Sequence, residues 1–380
     1  MESVYAKKIN YNNQWYENAY LLFEEGKIHG ISKTPDESTV IAEYPEDILA
    51  PGLVDTHIHG YNGADVMDNS TEGLKTISEG LLASGVTSFL PTTLTDSVDD
   101  LAGVCQTIAS SHNDMPGAKI RGIFLEGPWF AEEYSGAQNP KYMGDPNIDT
   151  FNFWQEKAQG LIKKIAIAPE REGSLAFIDE MNKQKVVVAL AHSAATYEQA
   201  NMAVERGASV FVHLYNRMTP LHHRDPGMVG AALNNESAYT ELIADGHHVH
   251  PAAIELAVNT KGIEKIVLIT DCMRAGGIEE GESSLGEYRV TVKNGAARLD
   301  DGNLAGSVLE LIQGAKNIIK WGIANVEEVL EMASLTPAKS ARIDDVCGRL
   351  AGGYDADFIV IDDNLNLVST YINGEEKYHA

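Results

Sequence analysis

The chain has 380 residues, 44% of them hydrophobic, with 34 Gly and 13 Pro. That composition excludes collagen, disorder and low complexity, no apolar run approaches the ~18 residues of a membrane span, and the length suits two domains better than one core. The formal net charge of −26, from 29 Lys and Arg against 55 Asp and Glu, excludes nucleic acid as an expected partner, because phosphate neutralisation needs clustered cations.

An anionic substrate would have to be bound by a local basic cluster. The three cysteines, Cys105, Cys272 and Cys347, are widely spaced and form no Cys-x-x-Cys. They predict small buried side chains in a reducing compartment, not a disulfide framework or zinc ribbon. The opening Met1-Glu2-Ser3-Val4-Tyr5-Ala6-Lys7-Lys8 lacks the apolar stretch of a signal peptide, and the cysteine usage makes a reducing cytoplasm the expected compartment.

In chain order, residues 1–50 carry short strand-like runs with turn punctuation, such as Tyr20–Ile28. The tail, with Asp355–Ile361 and Val368–Asn373, reads the same way. Neither end has the apolar content for its own core. The two are therefore expected to pair, residues 1–50 with 351–380, as a small β-sandwich beside a larger domain over 51–350.

From residue 48 onward, apolar runs alternate with amphipathic stretches. Eight runs stand out: Leu53–Ile58, Thr87–Leu90, Ile120–Leu125, Lys164–Ala168, Val186–Ala191, Ser209–Val212, Thr240–Ala244 and Ile266–Thr270. Most are continuously apolar, as parallel strands covered on both faces must be. Between them, Thr71–Ala83 places Leu74, Ile77, Leu81 and Leu82 on one helical face. Thr196–Gly207 offers Thr196 as N-cap and Gly207 as stop. The alternation predicts an α/β fold, a (β/α)₈ TIM-type barrel. A doubly wound sheet is the alternative, but no Gly-x-Gly-x-x-Gly follows the first strand.

Catalytic groups of such barrels come from the C-terminal ends of the strands. There the sequence places His57 and His59, then Glu126, His192, His213, the segment Asp245-Gly246-His247-His248, and Asp271. His57 and His59 are two apart on a strand, so both rings share a face. Imidazoles with a carboxylate suit Zn²⁺ or another first-row divalent ion. Asp271 is placed to accept a water proton and later deliver it to a leaving group.

Pro51–Gly60, with its His-Ile-His, resembles the opening strand of the amidohydrolase superfamily. Within it the chain resembles the N-acetylglucosamine-6-phosphate deacetylases. The carrying segments are Leu125–Pro128, Gly136–Pro140, Ala191–Ser193, His213–Arg224, Asp245–His248, Ile269–Asp271 and Leu304–Ser307. The resemblance implies removal of acetate from N-acetyl-D-glucosamine 6-phosphate. It implies that Glu126, His192 and His213 hold a principal ion and that His57 and His59 hold a second in members that keep the pair. One or two divalent ions are expected, Zn²⁺ or Fe²⁺ first, Mn²⁺ or Co²⁺ next. It makes Asp271 the general acid/base and His248 the group that polarises the acetyl carbonyl. It places Ala137, Gln138, Asn216, Arg217, Leu304, Ala305 and Gly306 against the sugar phosphate. It implies that Arg224 reaches the phosphate of a neighbouring subunit's substrate, hence a homodimer. Two departures bear on substrate preference: Gln138 stands where the family often has His, and Arg217 where it often has Ala. Another N-acyl sugar or cyclic amide as substrate, and more remotely a non-catalytic binding protein, are the competing readings.

Overall fold

The computed structural model covers residues 1–380. Its barrel strands are Leu53–Ile58, Val86–Thr93, Ile123–Glu126, Ile162–Ile167, Val187–Leu190, Val210–Phe211, Tyr239–Ile243 and Ile266–Ile269. Each pairs in parallel with its neighbour in that order. The ring closes where the His59 N–H donates to the Cys272 carbonyl at 2.8 Å and the Asp271 N–H to the His57 carbonyl at 2.9 Å. All eight predicted runs are barrel strands. The third, fifth and eighth are buried at every position, which is why they read as apolar runs instead of alternating ones. The third is broken: Lys119–Ile120 pairs with the second strand before Ile123–Glu126 begins.

The helices start where their caps dictate. Ser70 accepts from the Gly73 N–H and opens Thr71–Gly80, which tightens into a 3₁₀ turn over Leu81–Ser84 and ends at Gly85. Thr196 and Gln199 form a reciprocal capping box at the start of Tyr197–Glu205. No helix is long and apolar enough to cross a membrane. The three cysteines are free and buried.

Both termini build one seven-stranded sheet, in the order Glu375–His379, Leu367–Ile372, Phe358–Ile361, Thr39–Pro51, Glu2–Tyr11, Gln14–Glu24 and Lys27–Ser32. Phe23 and Phe358 lie on strands separated by two others, yet their rings are 6.1 Å apart. The sheet is therefore folded over a core of its own, which includes Val4, Phe23, Leu49, Phe358 and Tyr371. Thr39–Pro51 leads through Gly52 straight into the first barrel strand. A Cβ at Gly52 would collide with the Thr87 side chain, so only glycine lets the chain pass there.

Lys119 and Arg121, at the start of the third barrel strand, bind this sheet's tail. Lys119 Nζ lies 2.8 Å from carboxylate oxygens of both Asp355 and Asp357. Arg121 Nη2 lies 2.7 and 3.1 Å from the same two side chains.

One element escaped sequence reasoning. After the eighth strand, Glu282–Leu285, Tyr288–Lys293 and Ala296–Leu299 form a three-stranded antiparallel sheet. Its strands are short and half exposed. Their few apolar residues, Leu285, Val290, Val292 and Ala297, pack on Leu94, Met273 and Ala305 beside the barrel mouth.

Candidate metal centre and substrate pocket

The polar strand ends meet. Glu126, at the end of the third strand, is the hub. Its Oε1 lies 3.3 Å from His192 Nε2, 3.2 Å from His213 Nε2 and 3.5 Å from His57 Nε2. Its Oε2 lies 3.3 Å from His59 Nε2. Asp271 Oδ1 is 3.2 Å from His59 Nε2 and 3.6 Å from His57 Nε2. His192, His213 and Asp271 all have positive φ, at 45°, 34° and 49°. The backbone leaves each strand in a left-handed turn, a strained state that concentrates at functional sites.

The rings are oriented by their other nitrogens. Nδ1 of His59 donates to the Thr92 carbonyl, that of His192 to Tyr134 and that of His213 to Asn216, at 3.1, 2.8 and 3.2 Å. Nδ1 of His57 lies 3.0 Å from the Glu241 carboxylate. With the proton fixed on Nδ1, each Nε2 turns a lone pair toward Glu126. Four lone pairs and two carboxylates facing one another repel unless a cation lies among them.

The residues fit a metal. Two triads, His57–His59–Asp271 and Glu126–His192–His213, each bring three ligand atoms within 4.8 Å of one another. His57 Nε2 is buried without a hydrogen-bond partner. In the second triad the atom separations are 3.2–3.3 Å, which matches the edge of about 3.3 Å for a tetrahedron with ~2.0–2.1 Å bonds. Burial pushes Glu126 up, but the surrounding rings outweigh it and hold its carboxyl well below the usual range. Burial lowers His59, yet Asp271 and Glu126 prevail and push it well above the ordinary imidazole value. These carboxylates draw positive charge to that nitrogen, and a metal competes there with a proton.

Contacts not foreseen from the sequence support the cluster. Gln138 is buried, takes the Thr95 N–H on Oε1 at 2.6 Å and donates from Nε2 to Glu126 Oε2 at 2.5 Å. It was expected only against the sugar phosphate. Its contact with Glu126 became visible once the loop after the third strand folded back. Glu241, inside the seventh strand, bonds both His57 and Lys164 of the fourth strand. Burial raises Glu241, but Lys164 and His57 hold it below the usual carboxylate range. Asp245 accepts from Nδ1 of His248 at 2.6 Å and from the backbone N–H groups of His247 and His248 at 2.8 Å.

A cavity of about 380 Å³ opens above the cluster. Its lining includes His59, Glu126, His192, His213, His248 and Asp271, together with Ala137, Gln138, Asn216, Arg217, Leu304 and Gly306. Leu285 and Asn303, from the three-stranded sheet and its exit, complete one wall. Arg217 is the single Lys or Arg in this lining. It packs across Gly136, where a Cβ would fall 2.8 Å from Arg217 Nε.

Two expected substrate contacts lie elsewhere. Ala305 is fully buried, packed in the apolar cluster with Met273, and its N–H bonds the Ala297 carbonyl. The closing of its loop against the three-stranded sheet turns it from the pocket. Arg224 lies outside the lining, exposed, with Nη1 2.8 Å from His223 Nε2.

Residues 48–377 match the amidohydrolase family. The chain is similar to the N-acetylglucosamine-6-phosphate deacetylase of Vibrio furnissii, at 38% identity over 99% of this chain and 94% of that protein. It is also similar to the N-acetylgalactosamine-6-phosphate deacetylase of Escherichia coli O157:H7, at 37% identity over 97% of each. Among solved structures, a mutant N-acetyl-D-glucosamine-6-phosphate deacetylase from Mycobacterium smegmatis, in complex with N-acetyl-D-glucosamine 6-phosphate, superposes with a TM-score of 0.93 at 28% identity, covering 99% of both chains. The Thermotoga maritima N-acetylglucosamine-6-phosphate deacetylase does so with 0.88 at 31% identity, covering 100% of this chain and 99% of that one.

Proposed function

The chain belongs to the amidohydrolase family, and from that premise we propose that it removes the acetyl group from N-acetyl-D-glucosamine 6-phosphate, giving D-glucosamine 6-phosphate and acetate. One observation carries this reading. Four imidazole Nε2 atoms and Asp271 gather around Glu126 on the floor of a pocket whose single Lys or Arg is Arg217.

Glu126, His192 and His213 would hold the principal divalent ion, and His57, His59 and Asp271 would hold a second. Zn²⁺ or Fe²⁺ suits this mixture of nitrogen and oxygen donors. A bound cation supplies Lewis acidity toward the amide carbonyl and the attacking water. Asp271 takes the proton of that water as its oxygen bonds to the carbonyl carbon. It then gives the proton to the amine nitrogen as the C–N bond breaks. His248 stands over the pocket with Nδ1 held by Asp245. When its ring carries two protons, Nε2–H donates to the carbonyl oxygen as negative charge develops there. Gln138 keeps Glu126 in place by donating to Oε2, the oxygen that also faces His59. Asn216, Ala137, Leu304 and Gly306 contact the sugar, and Arg217 offers its cation to the phosphate.

The exposed Arg224, which bonds only its own loop in a single chain, reaches a partner subunit's phosphate in a homodimer. Residues 1–50 and 351–380 form a domain distinct from the 51–350 barrel, and the protein works in the cytoplasm. The E. coli relative named for the galacto substrate, with Gln138 and Arg217 in the pocket, favours N-acetylgalactosamine 6-phosphate as the second reading.

The test is acetate release by metal-loaded protein from the 6-phosphates of N-acetylglucosamine, N-acetylgalactosamine and N-acetylmannosamine. The gluco substrate is expected to have the highest kcat/KM. A higher galacto value would transfer the assignment to that epimer, and no acetate from any of them would leave a binding protein.

A further inference from the structure

Beneath the metal cluster, the barrel interior holds an ion pair that none of the reaction steps uses. Lys164 of the fourth strand and Glu241 of the seventh are both fully buried and in direct contact. Lys164 shares its strand face with Ala166, one of the small residues filling the barrel interior. Its ammonium lies 3.9 Å from the centre of the Phe124 ring, and that ring meets His57 edge-on at 5.0 Å. Glu241 uses Oε1 for Lys164 and Oε2 for His57 Nδ1, the latter at 3.0 Å. The four side chains come from the first, third, fourth and seventh strands and form one packed unit.

A buried pair of opposite charges gives little net stability, since desolvation offsets most of the attraction. Two apolar residues would fill this space as well. The pair therefore needs another reason to exist, and His57 supplies it. His57 differs from the other three histidines, whose Nδ1 atoms face neutral backbone carbonyls. It alone has a carboxylate behind it, and its Nε2 is the one buried without a hydrogen-bond partner. A carboxylate on Nδ1–H fixes the tautomer and makes Nε2 a stronger donor. Lys164 allows that carboxylate to stay charged in the barrel interior.

We propose that Lys164 and Glu241 are positioning residues that orient and strengthen His57 as a ligand of the second ion, an inference resting on the two-ion reading above. The Glu126–His192–His213 ion does not depend on them.

The test is the double variant Lys164→Met/Glu241→Leu, which removes both charges together and keeps an apolar filling. After loading with Zn²⁺ and desalting, the wild-type protein is expected to retain two ions per chain and the variant one. Chelator competition should show the second ion held ~10–100-fold more weakly, the range for lost outer-shell partners. The metal-free thermal midpoints should agree within a few degrees. A variant that keeps both ions with wild-type resistance to chelator overturns the proposal. So does one that loses both ions with a collapsed midpoint, since the pair would then support the fold. A wild-type protein retaining one ion overturns the two-ion reading itself. Long-range ¹H–¹⁵N correlations of the metal-free protein separate the two failures. The wild-type His57 ring is expected as the Nδ1–H tautomer and the variant ring is expected to lose that preference. An unchanged ring would remove the positioning role whatever the ion count.

Discussion

The third barrel strand region has clustered charge at both ends, half-buried at its start and buried at its end, and the two ends are built on opposite rules. At its start, Lys119 and Arg121 face Asp355 and Asp357, and Lys27 joins them at 2.6 Å from Asp355. Every cation there has a carboxylate. At its end, Glu126 and Asp271 meet four imidazoles whose lone pairs converge, and His57 Nε2 has no hydrogen-bond partner. The first cluster is complete in itself and fastens the terminal sheet to the barrel. The second is complete only with a cation. Clustering of charge alone does not distinguish a structural tie from a reactive site. The distinction lies in whether donors and acceptors cancel within the protein.

The contrast can be broken from either end. Stripping the mouth of metal should have the largest effect. Dialysis against a chelator should abolish acetate release, and Zn²⁺ or Fe²⁺ should restore it with far-UV circular dichroism unchanged. Turnover persisting in protein that elemental analysis finds metal-free would end the claim that this cluster needs a cation. Next is Asp271→Asn, which should lower kcat by ~10²–10⁴, as loss of a general acid/base does, while the ion held by Glu126, His192 and His213 remains. Near-normal turnover in the loaded variant would take the proton-transfer role from Asp271.

Arg224→Ala should reduce kcat/KM for the phosphorylated sugar about 10- to 150-fold, the equivalent of ~1.5–3 kcal/mol for hydrogen bonds to a charged partner. It should barely change the slow reaction of unphosphorylated N-acetylglucosamine. Equal losses on both sugars would make Arg224 a support of the fold, and a monomer by light scattering would remove the cross-subunit contact.

The smallest effects belong to the base of the barrel and should touch stability alone. Arg121→Met removes contacts to two carboxylates and should lower unfolding stability by ~1–2 kcal/mol with kcat/KM unchanged. A kinetic defect in the fully folded variant would erase the functional difference between the two ends. The same cluster gives a pH signature. Burial raises Asp355, but Lys119, Lys27 and Arg121 prevail and hold it well below its ordinary value. Its contribution is thus present above the unfolded value of ~4 and lost as pH falls through the folded one. Asp357 is more deeply buried, and desolvation keeps it raised despite the same cations, so its contribution has the opposite sign. Asp355→Asn should flatten the loss of stability below pH ~4 in denaturant titrations. An unchanged slope would assign acid unfolding to other carboxylates.

Much of this molecule was legible in one dimension. Parallel strands covered on both faces are largely apolar, so the barrel strands stood out as runs, and the polar residues at their C-terminal ends had to lie at the barrel mouth. That placed Glu126, His192, His213 and Asp271, with the His57–His59 pair at the end of the first strand. Pairing of the termini followed from their lack of apolar residues. What stayed hidden depends on contacts between residues far apart in sequence. Lys164 and Glu241 are 77 positions apart, and each by itself reads as a charge interrupting a strand. Glu282–Leu299 is too short and too polar to announce a sheet, because it buries only one face against the barrel. Gln138 and Ala305 occupy loops, where local sequence does not specify direction. Folding turned Gln138 onto Glu126 and Ala305 into the apolar cluster. The sequence by itself determined which residue types stand at the strand ends, because burial dictates the apolar pattern before them. Only the tertiary structure decided which nitrogen of each ring faces the metal cluster, because that depends on the hydrogen-bond acceptor that a distant segment brings to the other nitrogen.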